Sequence, residues 1–366
     1  MKILYLLFSF TVGGTERLVT DICNQMVKNN DVYLYIVNDL VSDELISTLD
    51  PSINVFLQGR QVGERDKLKT LVTLAKYVKV NEIEIVHCNS FDAPELTVFC
   101  KLFSPEVKIV HTIHGLNQYK KLSKVRVFIR NRLCDSFIGI SQAVVNDIRK
   151  YGASDKKISL IYNGVDENKY INKISLKKKN EVRKIACVAR IMPEIKGQDV
   201  LIAAAKKISQ NYPEVCFEFA GGVAESEKGN YEKLIKQVSS DELDDKVRFL
   251  GLISDIPQYL ESVDICVIPS REEGFGLSMV EAMSMGIPCV ASDIGGLAEI
   301  VNKEKIGTLF KCGDSKDLAE KLEYAIKNYV NLKEEAEKKR LEIQYKYSIQ
   351  NMCENLEQHY RMLMEK

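Results

Sequence analysis

A chain of 366 residues with 45% apolar and 28% charged residues is long enough for two domains, each with a real core and a solvated surface. Its 51 Lys and Arg offset 51 Asp and Glu, and its pI is near 6.9, so no global charge argues for nucleic-acid binding. No apolar stretch approaches the roughly eighteen residues that a membrane-spanning helix needs.

The opening run Met1–Phe8 could pass for a short signal segment. Gly13, Gly14 and Glu16-Arg17 behind it fit a first strand and a phosphate-type loop better. Strand-like runs then alternate with amphipathic stretches, which is the pattern of βαβ units and parallel sheets. Strands are predicted near Ile3–Phe8, Val32–Val37, Ile83–His87, Lys108–Thr112, Ser136–Ile140 and Ile158–Ile161. A Lys-rich connection at about 170–183 follows. A second series is predicted near Lys184–Ala189, Val215–Ala220, Val247–Leu250, Ile265–Pro269, Pro288–Ala291 and Gly307–Phe310. The tail is predicted helical from Ser348 to Lys366, with Ile349, Met352, Leu356, Tyr360 and Leu363 on one face. The ten cysteines form no C-x-x-C pair and several sit in apolar runs, as in a reduced, cytoplasmic protein. The four histidines and the cysteines show no zinc spacing, and no Asp-x-Asp site is convincing. No cofactor or metal is expected.

The run from Ser270 to Pro288 carries the most chemistry. Glu273 and Glu281 stand eight positions apart, with Gly274, Phe275, Gly276 and Leu277 after the first. A strand, a glycine loop and a helix start follow one another here, so backbone N–H groups and a positive dipole end would face an anion. A carboxylate on each side of that anion suits sugar hydroxyls rather than phosphate. Phosphate flanked by two sugars describes a nucleotide sugar.

This segment resembles the donor-binding motif of retaining glycosyltransferases of family 4, which have the GT-B fold. The likeness continues through Ala291–Val301 and covers most of the chain. It implies an α/β architecture of two Rossmann-like doubly wound domains facing a central cleft, with a terminal helix crossing back to the first. Residues 1–170 and about 348–366 would form the acceptor domain, and 171–347 the donor domain. By the same resemblance Glu273 would bind hydroxyls of the donor sugar and Glu281 those of the ribose. Arg190 and Lys196 would stabilise the diphosphate leaving group in place of a metal. His114, before Gly115, would face the donor sugar by hydrogen bonding, while His111 reads as structural. Gly13 and Gly14 would lie near the donor phosphates. Asn163, in the Asn163-Gly164 turn, and Gly222 and Leu252, at strand ends, are carried over as donor-binding positions. A generic turn explains Gly13-Gly14 and Asn163-Gly164 nearly as well.

The implied activity is transfer of a sugar, with retention, from a nucleotide-diphosphate sugar, expected to be UDP-linked. The acceptor would be a hydroxyl of a glycan or lipid-linked molecule in surface polysaccharide or glycoconjugate synthesis. A nucleotide-sugar epimerase of the same fold and a non-catalytic binding subunit remain as rivals. Between Glu106 and Asp135 there are seven cations and no acid: Lys108, Lys120, Lys121, Lys124, Arg126, Arg130 and Arg132. Tyr119, Leu122, Val125, Ile129 and Leu133 fall on one predicted helical face. Segment 108–132 therefore reads either as a surface for an anionic membrane or acidic acceptor, or as a solvated helix packed on its own domain.

Overall fold

The computed structural model describes residues 1–63, 66–170 and 181–365. The Lys-rich connection expected near 170–183 falls mostly on 171–180, outside the described residues. The chain divides into two compact units, Met1–Gly164 with Ile349–Lys366, and Val165–Ser348.

The first unit is built on seven parallel strands: β1 (Lys2–Leu7), β2 (Asp31–Asn38), β3 (Asn54–Arg60), β4 (Ile85–Cys88), β5 (Lys108–Ile113), β6 (Ser136–Gly139) and β7 (Ile158–Leu160). Their order is β3-β2-β1-β4-β5-β6-β7. Apolar runs such as Ile3–Leu7 and Ile85–Cys88 are buried along their whole length, as central parallel strands with both faces covered must be. The β1–β7 series includes one strand that the sequence analysis lacks, β3. It lies at the sheet edge, where Val55 and Leu57 stay exposed, so its residues carry no buried-strand pattern.

The tail is a helix, Ile349–Met364, and it belongs to this unit. Its predicted apolar face, Ile349, Met352, Leu356, Tyr360 and Leu363, is buried in the core that also holds Ile3, Val19, Leu34 and Ile85. Burying each such side chain stabilises by about 1.5–3 kcal/mol. Polar pairs fix its register: the Tyr360 hydroxyl hydrogen-bonds His87 Nδ1 at 2.6 Å, and His359 Nε2 hydrogen-bonds Ser136 Oγ at 2.8 Å.

The stretch from Tyr119 to Leu133 differs from its predicted single helical face, while Lys108 falls in a strand, β5, as expected. A short 3₁₀ turn spans Tyr119–Lys121, and a new helix starts at Lys124 after Ser123, whose hydroxyl accepts from Arg126 N. The expected apolar stripe is consequently split, with Tyr119 buried and Val125 68% exposed. Arg130 is fully buried, its Nε and Nη2 holding the two Glu95 oxygens at 2.9 and 3.0 Å and its Nη2 donating to the Phe91 carbonyl at 2.6 Å. Arg126 also pairs with Glu95 and Asp92. The acid missing from the sequence interval is thus supplied from residues before it.

The second unit carries six parallel strands: β8 (Lys184–Val188), β9 (Cys216–Ala220), β10 (Val247–Gly251), β11 (Ile265–Ile268), β12 (Cys289–Ser292) and β13 (Thr308–Phe310). Their order is β10-β9-β8-β11-β12-β13. Ile185, Phe217, Phe219, Ile265 and Val267 pack with Leu201, Leu318 and Leu322 from flanking helices. All ten cysteines are free and eight are buried. Both units are therefore doubly wound α/β sheets, the fold class expected from the sequence.

Candidate functional site

In a doubly wound sheet the connections leave in opposite directions from two neighbouring strands, and the gap above their carboxyl ends is open to a ligand. In the second unit this switch point lies between β8 and β11. The loop after β8 carries Arg190 and Lys196, and the loop after β11 carries Glu273. Lys196 ends a short helix, Pro193–Lys196, and its Nζ meets Glu273 Oε2 at 2.7 Å. Ser270 Oγ also donates to that oxygen, at 3.4 Å. Neither partner of the ion pair is deeply buried, with side chains 25% and 16% exposed, so a ligand can reach both.

Gly197 lets this approach happen. Its φ is +67°, and a Cβ there would lie 1.9 Å from the Pro269 carbonyl oxygen. After Glu273 the chain crosses the buried residues Gly274 and Phe275 and turns at Gly276, whose φ of +104° suits glycine. The helix Leu277–Ser284 starts there without a side-chain cap. The first-turn N–H groups of Leu277 and Ser278 have no acceptor within the helix, as at any helix start, and such a start favours an anion. Glu281, partly exposed, sits just over one turn further on.

Arg190 is exposed, with its side chain in no ion pair among the described residues. Its carbonyl accepts from Nε2 of the fully buried Gln198 at 2.8 Å. Ile191 N bonds the Gly222 carbonyl at 3.0 Å, and a Cβ on Gly222 would be 3.9 Å from Leu252 Cβ. The ends of β8, β9 and β10 thus bring Arg190, Gly222 and Leu252 into one neighbourhood, and Leu252 is 57% exposed. Sequence reasoning missed Gln198 and also Arg271, whose guanidinium grips Asp199 through two 2.7 Å bonds. Neither has a motif signal of its own, because their partners are set only by the fold.

The first unit has its switch point between β1 and β4. Gly13 is the buried N-cap of the helix Gly14–Met26 and Gly14 is its exposed first residue. Neither has positive φ, and a Cβ on Gly14 would meet nothing within 4 Å, so local geometry does not require glycine at position 14. His114 follows β5, half-buried, with Nε2 hydrogen-bonding Asn89 Oδ1 at 3.2 Å. Burial lowers its pKa to about 4, so the imidazole is neutral near pH 7. Asn89, just after β4, is a further residue that sequence reasoning missed. His111 is fully buried, in keeping with a structural role. Asn163 is buried too, and its Oδ1 has no hydrogen-bond partner. Among the described residues, no group of three or more His, Cys, Asp or Glu side chains could hold a metal ion.

The chain is similar to two known families, one along each part. Residues 12–169 match the model described as glycosyltransferase family 4, and residues 168–344 the model described as glycosyl transferases group 1. It is 30% identical over 302 residues to the UDP-Gal:alpha-D-GlcNAc-diphosphoundecaprenol alpha-1,3-galactosyltransferase of Escherichia coli, a match covering 75% of each chain. It is 23% identical over 346 residues to the O-antigen biosynthesis glycosyltransferase WclY of Escherichia coli, covering 91% of each. Among solved structures, Anabaena Alr3699/HepE in complex with UDP-glucose shares the fold with a TM-score of 0.85 at 22% identity, covering 99% of this chain and 100% of that one.

Proposed function

This chain belongs to the group 1 glycosyltransferases of family 4, and from that premise we propose that it is a retaining enzyme using a UDP-sugar. The observation that carries the reading is the Lys196–Glu273 pair at the β8/β11 switch point, beside an uncapped helix start and the exposed Arg190. Cations and N–H groups suit a diphosphate, and the two glutamates suit hydroxyls on either side of it.

In the proposed reaction the bond from the anomeric carbon to the diphosphate breaks while an acceptor oxygen bonds to that carbon on the same face. The acceptor proton passes to the leaving phosphate oxygen. Negative charge grows on the diphosphate, where Lys196, Arg190 and the Leu277 and Ser278 amides stabilise it. Glu273 accepts hydrogen bonds from the donor sugar and Glu281 from the ribose. No metal is needed in this scheme. His114 would serve the donor sugar as a neutral hydrogen-bonding group. Gly13, Gly14, Asn163, Gly222, Leu252, Gly274, Phe275 and Gly276 would shape the donor's surroundings.

The acceptor is proposed to be a glycan or lipid-linked hydroxyl of a surface polysaccharide. The E. coli relatives, one acting on a diphosphoundecaprenol and one named for O-antigen biosynthesis, support this. No helix among the described residues is long and apolar enough to cross a membrane. Attachment to an anionic cytoplasmic membrane face would use the exposed Lys120, Lys121, Lys124 and Arg132 around Val125 and Phe128, which are 68% and 61% exposed.

A screen of UDP-sugars with undecaprenol-linked acceptors tests the reading. An α-linked donor should give an α-linked product by NMR, and turnover should survive EDTA. A β linkage or strict dependence on added manganese would overturn the mechanism. For the membrane, the triple change Lys120→Glu, Lys121→Glu and Lys124→Glu should release the protein from anionic liposomes at low salt. Equal sedimentation of both proteins would leave the segment as a solvated helix.

A further inference from the structure

The loop after β11 does more than carry Glu273. Two residues earlier, Arg271 Nη1 and Nη2 each donate to one oxygen of Asp199 at 2.7 Å. Nη1 also donates to the Pro193 carbonyl at 2.6 Å, and the Arg271 backbone N–H donates to the Ile195 carbonyl at 2.7 Å. Pro193 and Ile195 lie in the short helix that ends at Lys196. Asp199 lies in the first turn of the next helix, Gln198–Asn211. One arginine therefore holds the chain on both sides of Lys196 and belongs to the loop that presents Lys196's partner.

An isolated surface ion pair contributes about 0–1 kcal/mol and fixes little. This one is a two-pronged fork with a carbonyl and a main-chain bond added, which sets distance and direction together. The tethered helix is only four residues long, too short to hold itself. Without the fork, the short helix would be left with main-chain bonds, from the Arg271 and Glu272 N–H groups to the Ile195 carbonyl and from Lys196 N to the Met192 carbonyl, beside Gly197 at positive φ.

We propose that Arg271 and Asp199 are positioning residues: they clamp the Pro193–Lys196 helix so that the Lys196 ammonium stands where a donor's diphosphate must bind. Neither touches the ligand. The inference rests on the reading of Lys196 as a diphosphate ligand, and its test separates the two.

The experiment is a double-mutant cycle read by calorimetric affinity for UDP, with thermal unfolding of each variant alongside. Arg271→Gln should weaken UDP about tenfold, the order of effect of loosening one hydrogen bond to a charged group. In the Lys196→Ala background the same change should alter affinity less than about twofold, because the group it positions is gone. Arg271→Lys keeps the charge and loses the fork. It should fall nearer to Arg271→Gln than to wild type, with a thermal midpoint close to wild type, and it serves if Arg271→Gln folds poorly. Asp199→Asn should follow Arg271→Gln. Equal losses with and without Lys196 would overturn the clamp and leave the Lys196 assignment intact. Unchanged UDP affinity in Lys196→Ala alone, or no UDP binding by wild type, would overturn the reading on which the clamp depends.

Discussion

In the second unit the loops at the sheet's switch point present Lys196, Arg190 and Glu273, whereas in the first unit the corresponding edge presents Gly13, Gly14, Asn89 and a neutral His114. The topology is the same and the chemistry is opposite. The charged edge is tied across loops by Lys196–Glu273 and Arg271–Asp199, so Lys196 and Glu273 are held before any ligand arrives. Such preorganisation favours a ligand whose charge changes during reaction. At the other edge Asn89 and the neutral His114 offer hydrogen bonds, which suit hydroxyls. A doubly wound sheet thus supplies a ligand edge, and the residues at that edge decide what it binds.

The largest effect should come from removing the fixed charge. Lys196→Ala or Arg190→Ala should lower turnover by about a hundredfold or more, the usual consequence of losing one group that stabilises developing charge. Steady-state kinetics would check this. Wild-type turnover in both variants would mean that the second unit's edge is not electrostatic and that the contrast fails.

A smaller effect should divide the two glutamates. Glu273→Ala should lose transfer while keeping most of the affinity for bare UDP, and Glu281→Ala should weaken UDP itself. Each lost hydrogen bond to a charged group contributes about 1.5–3 kcal/mol. Calorimetry beside a transfer assay would separate them, and identical behaviour of the pair would remove their assignment to different sugars.

The smallest effect concerns the neutral edge and pH. Burial lowers the pKa of His114 to about 4 and that of His87 to about 3, from an ordinary value of 6.5. The unfolded chain then binds protons that the folded one refuses. Stability should be full above pH 6.5 and fall as pH drops from 6.5 toward 4. The thermal midpoint should be flat from pH 7 to 8 and decline below about 6.5, with a shallower decline in His114→Asn. A midpoint independent of pH down to about 4 would show that these histidines titrate normally within the fold.

The sequence made much of this legible, for identifiable reasons. Central strands such as Ile265–Ile268 are continuous apolar runs buried on both faces, which only a few structures can satisfy. The edge strand β3 has no such constraint and gave no signal. Glu273 and Gly276 were readable because loop, turn and helix start are contiguous in sequence. Arg271 and Asp199 lie 72 positions apart, and Arg130 and Glu95 lie 35 apart, so their pairing follows only from the sheet order. The basic segment misled because its acids, Asp92 and Glu95, precede it in the chain.

The most direct test is a crystal structure with UDP bound. The diphosphate should lie within hydrogen-bonding distance, about 3 Å, of Lys196 Nζ and the Leu277 or Ser278 amide, with the ribose hydroxyls on Glu281. A nucleotide bound elsewhere, or a crystal that takes up none at saturating UDP while Lys196 stays paired to Glu273, would contradict the account.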